Sequence, residues 1–278
     1  VLLRCADREL DLATPVVMGV LNITPDSFSD GGHFVDHPAA LARALRMLEQ
    51  GATIVDIGGE STRPGATPVS AEEEVQRVIP VVRALVARGA LVSIDTSKPE
   101  VIHAALEAGA QIVNDVYALR RPGALETAAQ GSAAVCVMHM QGEPRSMQRA
   151  PHYDDVVREV AGFLAGRVAA CESAGIARDR ILVDPGFGFG KTVAHNVELL
   201  RNLTEIAPPG LPILAGLSRK SMLAALTDRP VEARLAGSLA LAFAALEGGA
   251  RIIRCHDVAE TCDVVKVWTA LRRRGEAR

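Results

Sequence analysis

The chain has 278 residues, 49% of them hydrophobic and only 3% aromatic, with 30 Lys and Arg against 33 Asp and Glu for a formal charge of −3. That balance excludes a broad nucleic-acid surface, which needs a basic field. The length suits a single domain spanning residues 1–278, near the roughly 250 residues of a (β/α)8 TIM barrel, and the aliphatic composition suits that fold's branched inner layers.

Val1 to Leu10 carries Arg4, Asp7, Arg8 and Glu9, so it reads as a short N-terminal extension before the first barrel strand, without a signal-peptide core. Strands are then predicted at Val16–Leu21, Thr53–Ile57, Leu91–Ile94, Gln111–Val113, Ala133–Met138, Ile181–Val183, Ile213–Gly216 and Arg251–Ile253, each followed by a helical pattern. Four of them repeat one phrase: Gly51-Ala52 to Asp56, Gly89-Ala90 to Asp95, Gly109-Ala110 to Asn114 and Gly249-Ala250 to Arg254. A helix-ending glycine, a buried β-branched run and one polar residue at its end describe a parallel α/β unit, and barrels keep their chemistry at those strand ends.

The helix after the second strand opens on Ser70 and Glu73, a capping box. The next is expected to be capped by Ser97 ahead of Pro99 and to end at Gly109. Tyr153 to Ala174 reads as a longer helix, and Val258 to Leu271 as the last one. The apolar stretch Leu235 to Leu246 is too short for a membrane span, which takes about 20 residues. The five cysteines are odd in number and form no CxxC pair, so buried free thiols in a reducing cytoplasm are expected.

Every predicted strand is followed by polar or ionisable groups: Asn22, Asp56 to Arg63, Asp95, Asn114-Asp115, His139, Asp184, Ser218 to Ser221, and Arg254 with His256. In a closed barrel these converge on one pocket. Asp95, Asn114 and Asp184 suit a flat hydrogen-bonding heterocycle, while Arg63, Arg219, Lys220, Arg254 and His256 supply positive charge for phosphates. Two loops, Asn22 to Gly32 and Gly58 to Gly65, combine glycines, hydroxyls and, in the second, the guanidinium of Arg63. Gly190-Lys191-Thr192 looks like the end of a phosphate-binding P-loop, but the position five before Gly190 is Pro185 rather than glycine. The glycines there are expected to let the chain close over the pocket rim, with Phe187 and Phe189 as walls. His139 is expected to order a loop rather than to catalyse.

Met18 to Gly32, Gly58 to Gly65, Ser93 to Ser97, Asn114-Asp115-Val116, Met138 to Gly142, Asp184 to Lys191 and Leu217 to Met222 together resemble the bacterial dihydropteroate synthase family across nearly the whole chain. The resemblance departs at Cys255, where a valine is expected, and at Arg120-Arg121. It implies a (β/α)8 barrel that condenses 6-hydroxymethyl-7,8-dihydropterin pyrophosphate with p-aminobenzoate, giving 7,8-dihydropteroate and pyrophosphate in folate biosynthesis. It further implies that Asp184, Asn114, Asp95 and Lys220 hold the pterin, with Met138 among the substrate-binding residues. Thr62, Arg254 and His256 would bind the pyrophosphate, and Asn22 the Mg2+ that neutralises it. Phe28, Arg63, Pro64, Phe189 and Ser221 would form the p-aminobenzoate pocket, the site of sulfonamide action in the family. Asp95, Lys220 and Arg63 are the expected catalytic residues. A homodimer in the cytoplasm is expected, with no nucleic-acid or membrane partner. Two other readings stay open: a methyltetrahydrofolate-dependent methyltransferase barrel, and a non-catalytic homologue that binds pterin.

Overall fold

The computed structural model describes residues 1–24, 36–61, 68–143 and 146–272. The first ten residues do more than extend the chain. β1 (Leu2–Cys5) and β2 (Arg8–Asp11) pair antiparallel as a hairpin. Leu3 and Cys5, on alternate positions, turn inward with Leu12 while Leu2 and Arg4 face water. The inward set closes the lower end of the barrel against Met18, Ile54, Leu91 and Ile252.

The barrel strands are β3 (Val16–Asn22), β4 (Ile54–Gly58), β5 (Leu91–Asp95), β6 (Ile112–Asp115), β7 (Ala134–Met138), β8 (Ile181–Asp184), β9 (Leu214–Ala215) and β10 (Ile252–Cys255). They lie side by side in the order β8-β7-β6-β5-β4-β3-β10-β9, with parallel pairing throughout. A parallel bridge from Val183 to Ile213 closes the ring, and the Val183 N–H donates to Pro212 O at 3.0 Å. The fold is the expected (β/α)8 barrel. No helix among the described residues is long and apolar enough to cross a membrane, and all five cysteines are free and buried.

Strand alternation sorts each strand into two roles. In β4, Val55 and Ile57 face the helices, Ile54 joins the lower plug, and Asp56 stands one layer above it inside the barrel. β5, β6, β8 and β10 run past their predicted ends, so Asp95, Asn114, Asp184 and Arg254 belong to the ladders themselves: Asp95 pairs in register with Asn114, Met138 with Asp184, and Arg254 with Met18. These four side chains therefore stand on rigid, hydrogen-bonded backbone rather than on loops. β9 is shorter than predicted, because Ile213 contributes only the closing bridge.

Ser70 caps its helix, accepting from the Glu73 N–H at 3.1 Å, but the expected box does not close, because the Glu73 carboxylate pairs with Arg77 instead. Ser97 does not cap the next helix. The helix Pro99–Glu107 starts from Lys98 with no side-chain cap bond, since Pro99 occupies the first turn with its φ already set. Lys98 instead sends its ammonium to Glu60 at 2.8 Å and to buried Glu74, tying the end of the β4 loop to two helices.

Candidate functional site

Asp95, Asn114, Asp184, Lys220 and Arg254, contributed by β5, β6, β8, the loop after β9, and β10, line one slot with Met138, Phe187 and Phe189. Arg254 joins its two acids. Its Nε donates to Asp56 Oδ2 and its Nη2 to Asp95 Oδ2, both at 2.6 Å, while Asn114 Nδ2 donates to Asp56 Oδ2 at 3.1 Å. Burial opposes the charge on Arg254, but Asp56 and Asp95 more than offset this and raise its pKa. Burial pushes Asp95 up to about 7, with Arg254 pulling it back part of the way and Asp56 pushing it further up. Asp184 is raised for the same first reason, and its Oδ1 accepts the Gly186 N–H at 2.7 Å. Lys220 is lowered to about 8 by burial, against the attraction of Asp184, so it stays largely protonated at neutral pH. Its Nζ lies 4.2 Å from the centre of the Phe189 ring.

The slot opens into a wider cleft, with Asp95, Phe189, Lys220 and Arg254 common to both. Asn22, at the end of β3, Ser221 and His256 line the cleft. His256 was expected to bring positive charge. Burial, reinforced by Arg254 and Arg219, instead lowers its pKa to about 4, so it meets an incoming phosphate as a neutral imidazole. Arg219 lies in the cleft as well, yet its guanidinium is engaged by Asp257 at 2.9 and 2.5 Å. Ser221 stands exposed at the start of the helix Met222–Thr227. Phe28, Thr62, Arg63 and Pro64 lie outside the described residues.

His139 and Asp115 end their strands but do not line the slot or the cleft. His139 packs its ring edge-on to Phe163 at 4.9 Å, which fits the expected loop-ordering role. Asp115 accepts from the N–H groups of Tyr117 and Leu119, each at 2.8 Å, and so holds a turn in which Ala118 and Leu119 both take left-handed φ values of 55° and 56°. Asp56 stands among the polar groups at the predicted strand ends, but its part as the buried partner of Arg254 is not among the expected roles. A lone carboxylate in the apolar run Ile54-Val55-Asp56-Ile57 was its signal, because a buried strand spends a charge only where something pairs with it.

A barrel with acceptors and an ammonium in its upper interior is the arrangement of a pterin-binding enzyme: residues 18–256 match the family model described as pterin binding enzyme. Dihydropteroate synthase of Escherichia coli strain K12 is 54% identical over 262 residues, covering 94% of this chain and 93% of that protein. Dihydropteroate synthase of Haemophilus influenzae is 53% identical, covering 94% and 95%. Among solved structures, the Yersinia pestis dihydropteroate synthase with a sulfonamide drug complex superposes with a TM-score of 0.93 at 50% identity, covering 98% of this chain and 99% of that one. The Xanthomonas albilineans dihydropteroate synthase in complex with 7,8-dihydropteroate gives 0.90 at 49%, covering 99% and 100%. This chain belongs to the dihydropteroate synthase family.

Proposed function

We propose that this chain joins 6-hydroxymethyl-7,8-dihydropterin pyrophosphate to p-aminobenzoate, with the pterin in the slot and the pyrophosphate and arylamine in the cleft. The observation that carries this reading is the continuity of the two spaces. Asp184 and Asn114 lie only in the slot, Ser221 and His256 only in the cleft, and Asp95, Lys220 and Arg254 stand at the junction where the reacting methylene would lie. An arylamine is unprotonated at neutral pH, so its nitrogen needs no strong base. The demanding event is breaking the methylene C–O bond, whose electron pair leaves with the pyrophosphate. Asp95 beside the ring stabilises the positive charge that develops there, and Arg254 with the neutral His256 donates to the departing oxygens. The amine lone pair then forms the C–N bond, and the ammonium proton passes to solvent. Thr62 is assigned to the pyrophosphate on its motif, and Arg63, Phe28 and Pro64 to the arylamine pocket on theirs.

Among the described residues no group of three or more His, Cys, Asp or Glu gathers to hold a metal ion by itself. Asn22 fits a different manner of binding, in which Mg2+ takes one or two protein oxygens and completes its shell with phosphate oxygens and water. When bound, the ion would neutralise the leaving pyrophosphate. A cytoplasmic homodimer completes the proposal: Val267 and Leu271, 56% and 70% exposed one turn apart on the helix Val258–Arg272, offer an apolar stripe to a second copy. Light scattering on the eluted protein is expected to give the mass of two chains, and a monomer mass would remove the dimer.

The deciding assay mixes the protein with both substrates and magnesium. Pyrophosphate release that requires p-aminobenzoate is the expected result. Pterin binding without release in either order of addition would make the chain a non-catalytic pterin binder.

A further inference from the structure

Gly190-Lys191-Thr192, the segment that imitates a phosphate-binding loop, has no part in the reaction just described, although Lys191 is 3% exposed. Its ammonium lies among four acceptors: His139 Nδ1 at 2.9 Å, Gly186 O at 2.9 Å, Phe189 O at 3.0 Å and His139 O at 3.3 Å. An ammonium carries three protons, so the protein itself can satisfy all of them. None of these acceptors is a carboxylate. Burial lowers the pKa of Lys191 to about 7, with the attraction of Asp184 working against it. Holding that cation on three carbonyls and one imidazole nitrogen is costly, and the cost marks a position where the held groups must stay in place.

Those groups form one wall of the slot. Gly186 and Phe189 line it, and His139 follows Met138, which lines it too. The two loops touch through their backbones. The His139 N–H donates to Asp184 O at 3.0 Å and a Cβ on Gly186 (φ +67°) would overlap the His139 carbonyl, while within the second loop the Phe189 N–H donates to Gly186 O at 3.0 Å. Burial, followed by the charge of Lys191, lowers His139 to about 3, so its ring is neutral and Nδ1 accepts the lysine proton. On the slot side, the same Phe189 carries the Lys220 ammonium over its ring.

We propose that Lys191 is a positioning residue for the pterin slot: its ammonium draws the carbonyls of His139, Gly186 and Phe189 to one point, and so sets Phe189, and Lys220 above it, against the bound ring. The inference rests on the pterin occupying the slot, and the experiment separates the two. Lys191→Met keeps the bulk of the stem and removes the charge. In titration calorimetry with oxidised, unreactive 6-hydroxymethylpterin, it is expected to bind about tenfold more weakly than the parent. In the assay, the KM for the pterin substrate is expected to rise in step while kcat changes less than about threefold. Because Lys191 acts through Phe189, adding Lys191→Met to Phe189→Leu should cost no more than about twofold beyond Phe189→Leu alone.

Asp184→Asn is the control. If it loses affinity while folded Lys191→Met stays within about twofold of the parent, Lys191 does not position the slot and only this inference falls. If both bind normally, the assignment of the slot to pterin falls first and takes this inference with it. Losses that multiply in the double variant would show that Lys191 does not act through Phe189. Should Lys191→Met not fold, Lys191→Gln, which keeps two amide donors, is read in the same way. Failure of both to fold would make Lys191 a folding residue and overturn the proposal.

Discussion

Asp184→Asn is expected to weaken pterin binding roughly a hundredfold or more. The carboxylate already commits Oδ1 to the Gly186 N–H at 2.7 Å, which orients it and leaves acceptor capacity for a ligand in the slot. A hydrogen bond to a charged group contributes about 1.5–3 kcal/mol net, so losing two such bonds costs about 3–4 kcal/mol. The asparagine keeps the shape but exchanges one acceptor for an amide donor, placing donor against donor where the ring presents N–H groups. The Gly186 N–H can still be met by the remaining amide oxygen, so the loop should keep its form and the loss should appear in binding rather than in folding. Calorimetry with 6-hydroxymethylpterin checks this directly. A loss smaller than about threefold, with an unchanged melting temperature, would take Asp184 out of the pterin contact.

Much of this site could be read from the chain because parallel barrel strands are buried on both faces. Their β-branched runs stand out, and the polar residue that ends each run stands out further. Asp95, Asn114, Asp184, Lys220 and Arg254 were all found in this way, and the structure brings them into one slot. What escaped depends on contacts between distant segments. The hairpin of β1 and β2 has only four residues in each strand, and Arg4 and Glu9 on its wet face, with Arg8 opposite Cys5 on the other, obscure the alternation of Leu3 and Cys5. The charge of His256 is decided by burial beside Arg254 of β10 and Arg219 of the loop after β9, segments far apart in the chain. Lys191 looked like a failed phosphate ligand because nothing in its neighbours along the chain shows that its ammonium ends on carbonyls of the β7 and β8 loops. Asp56 was visible as a polar residue at a strand end, but its depth follows from the stagger of the closed sheet, one layer below the mouth.

Arg254→Met is expected to destabilise the folded protein by about 3–5 kcal/mol, the usual cost of removing one partner from a buried ion pair. The melting temperature should fall on the order of 10 °C. Arg254 serves two carboxylates at once, Asp56 with no exposed surface and Asp95 nearly enclosed, and Asp56 Oδ1 has no protein donor of its own. Methionine fills the volume but leaves two buried anions near each other. The loss should therefore depend on pH, in a direction set by Asp95. Burial already holds its folded pKa above the unfolded value, up to about 7. Between the unfolded and folded pKa values the folded state binds the extra proton, so stability falls as pH rises across that window. Removing Arg254 takes away the group that pulls Asp95 down, raising its folded pKa further and widening the window upward. At pH 5 Asp95 is protonated in both folded proteins and this part of the difference vanishes, whereas it grows as pH rises past about 7. Melting curves of parent and variant at the two pH values should thus diverge at pH 8 and draw together at pH 5. A gap that is equal at both pH values would mean that Arg254 does not restrain a proton on Asp95. Pyrophosphate release should be lost along with it, since the same guanidinium faces both the slot and the cleft.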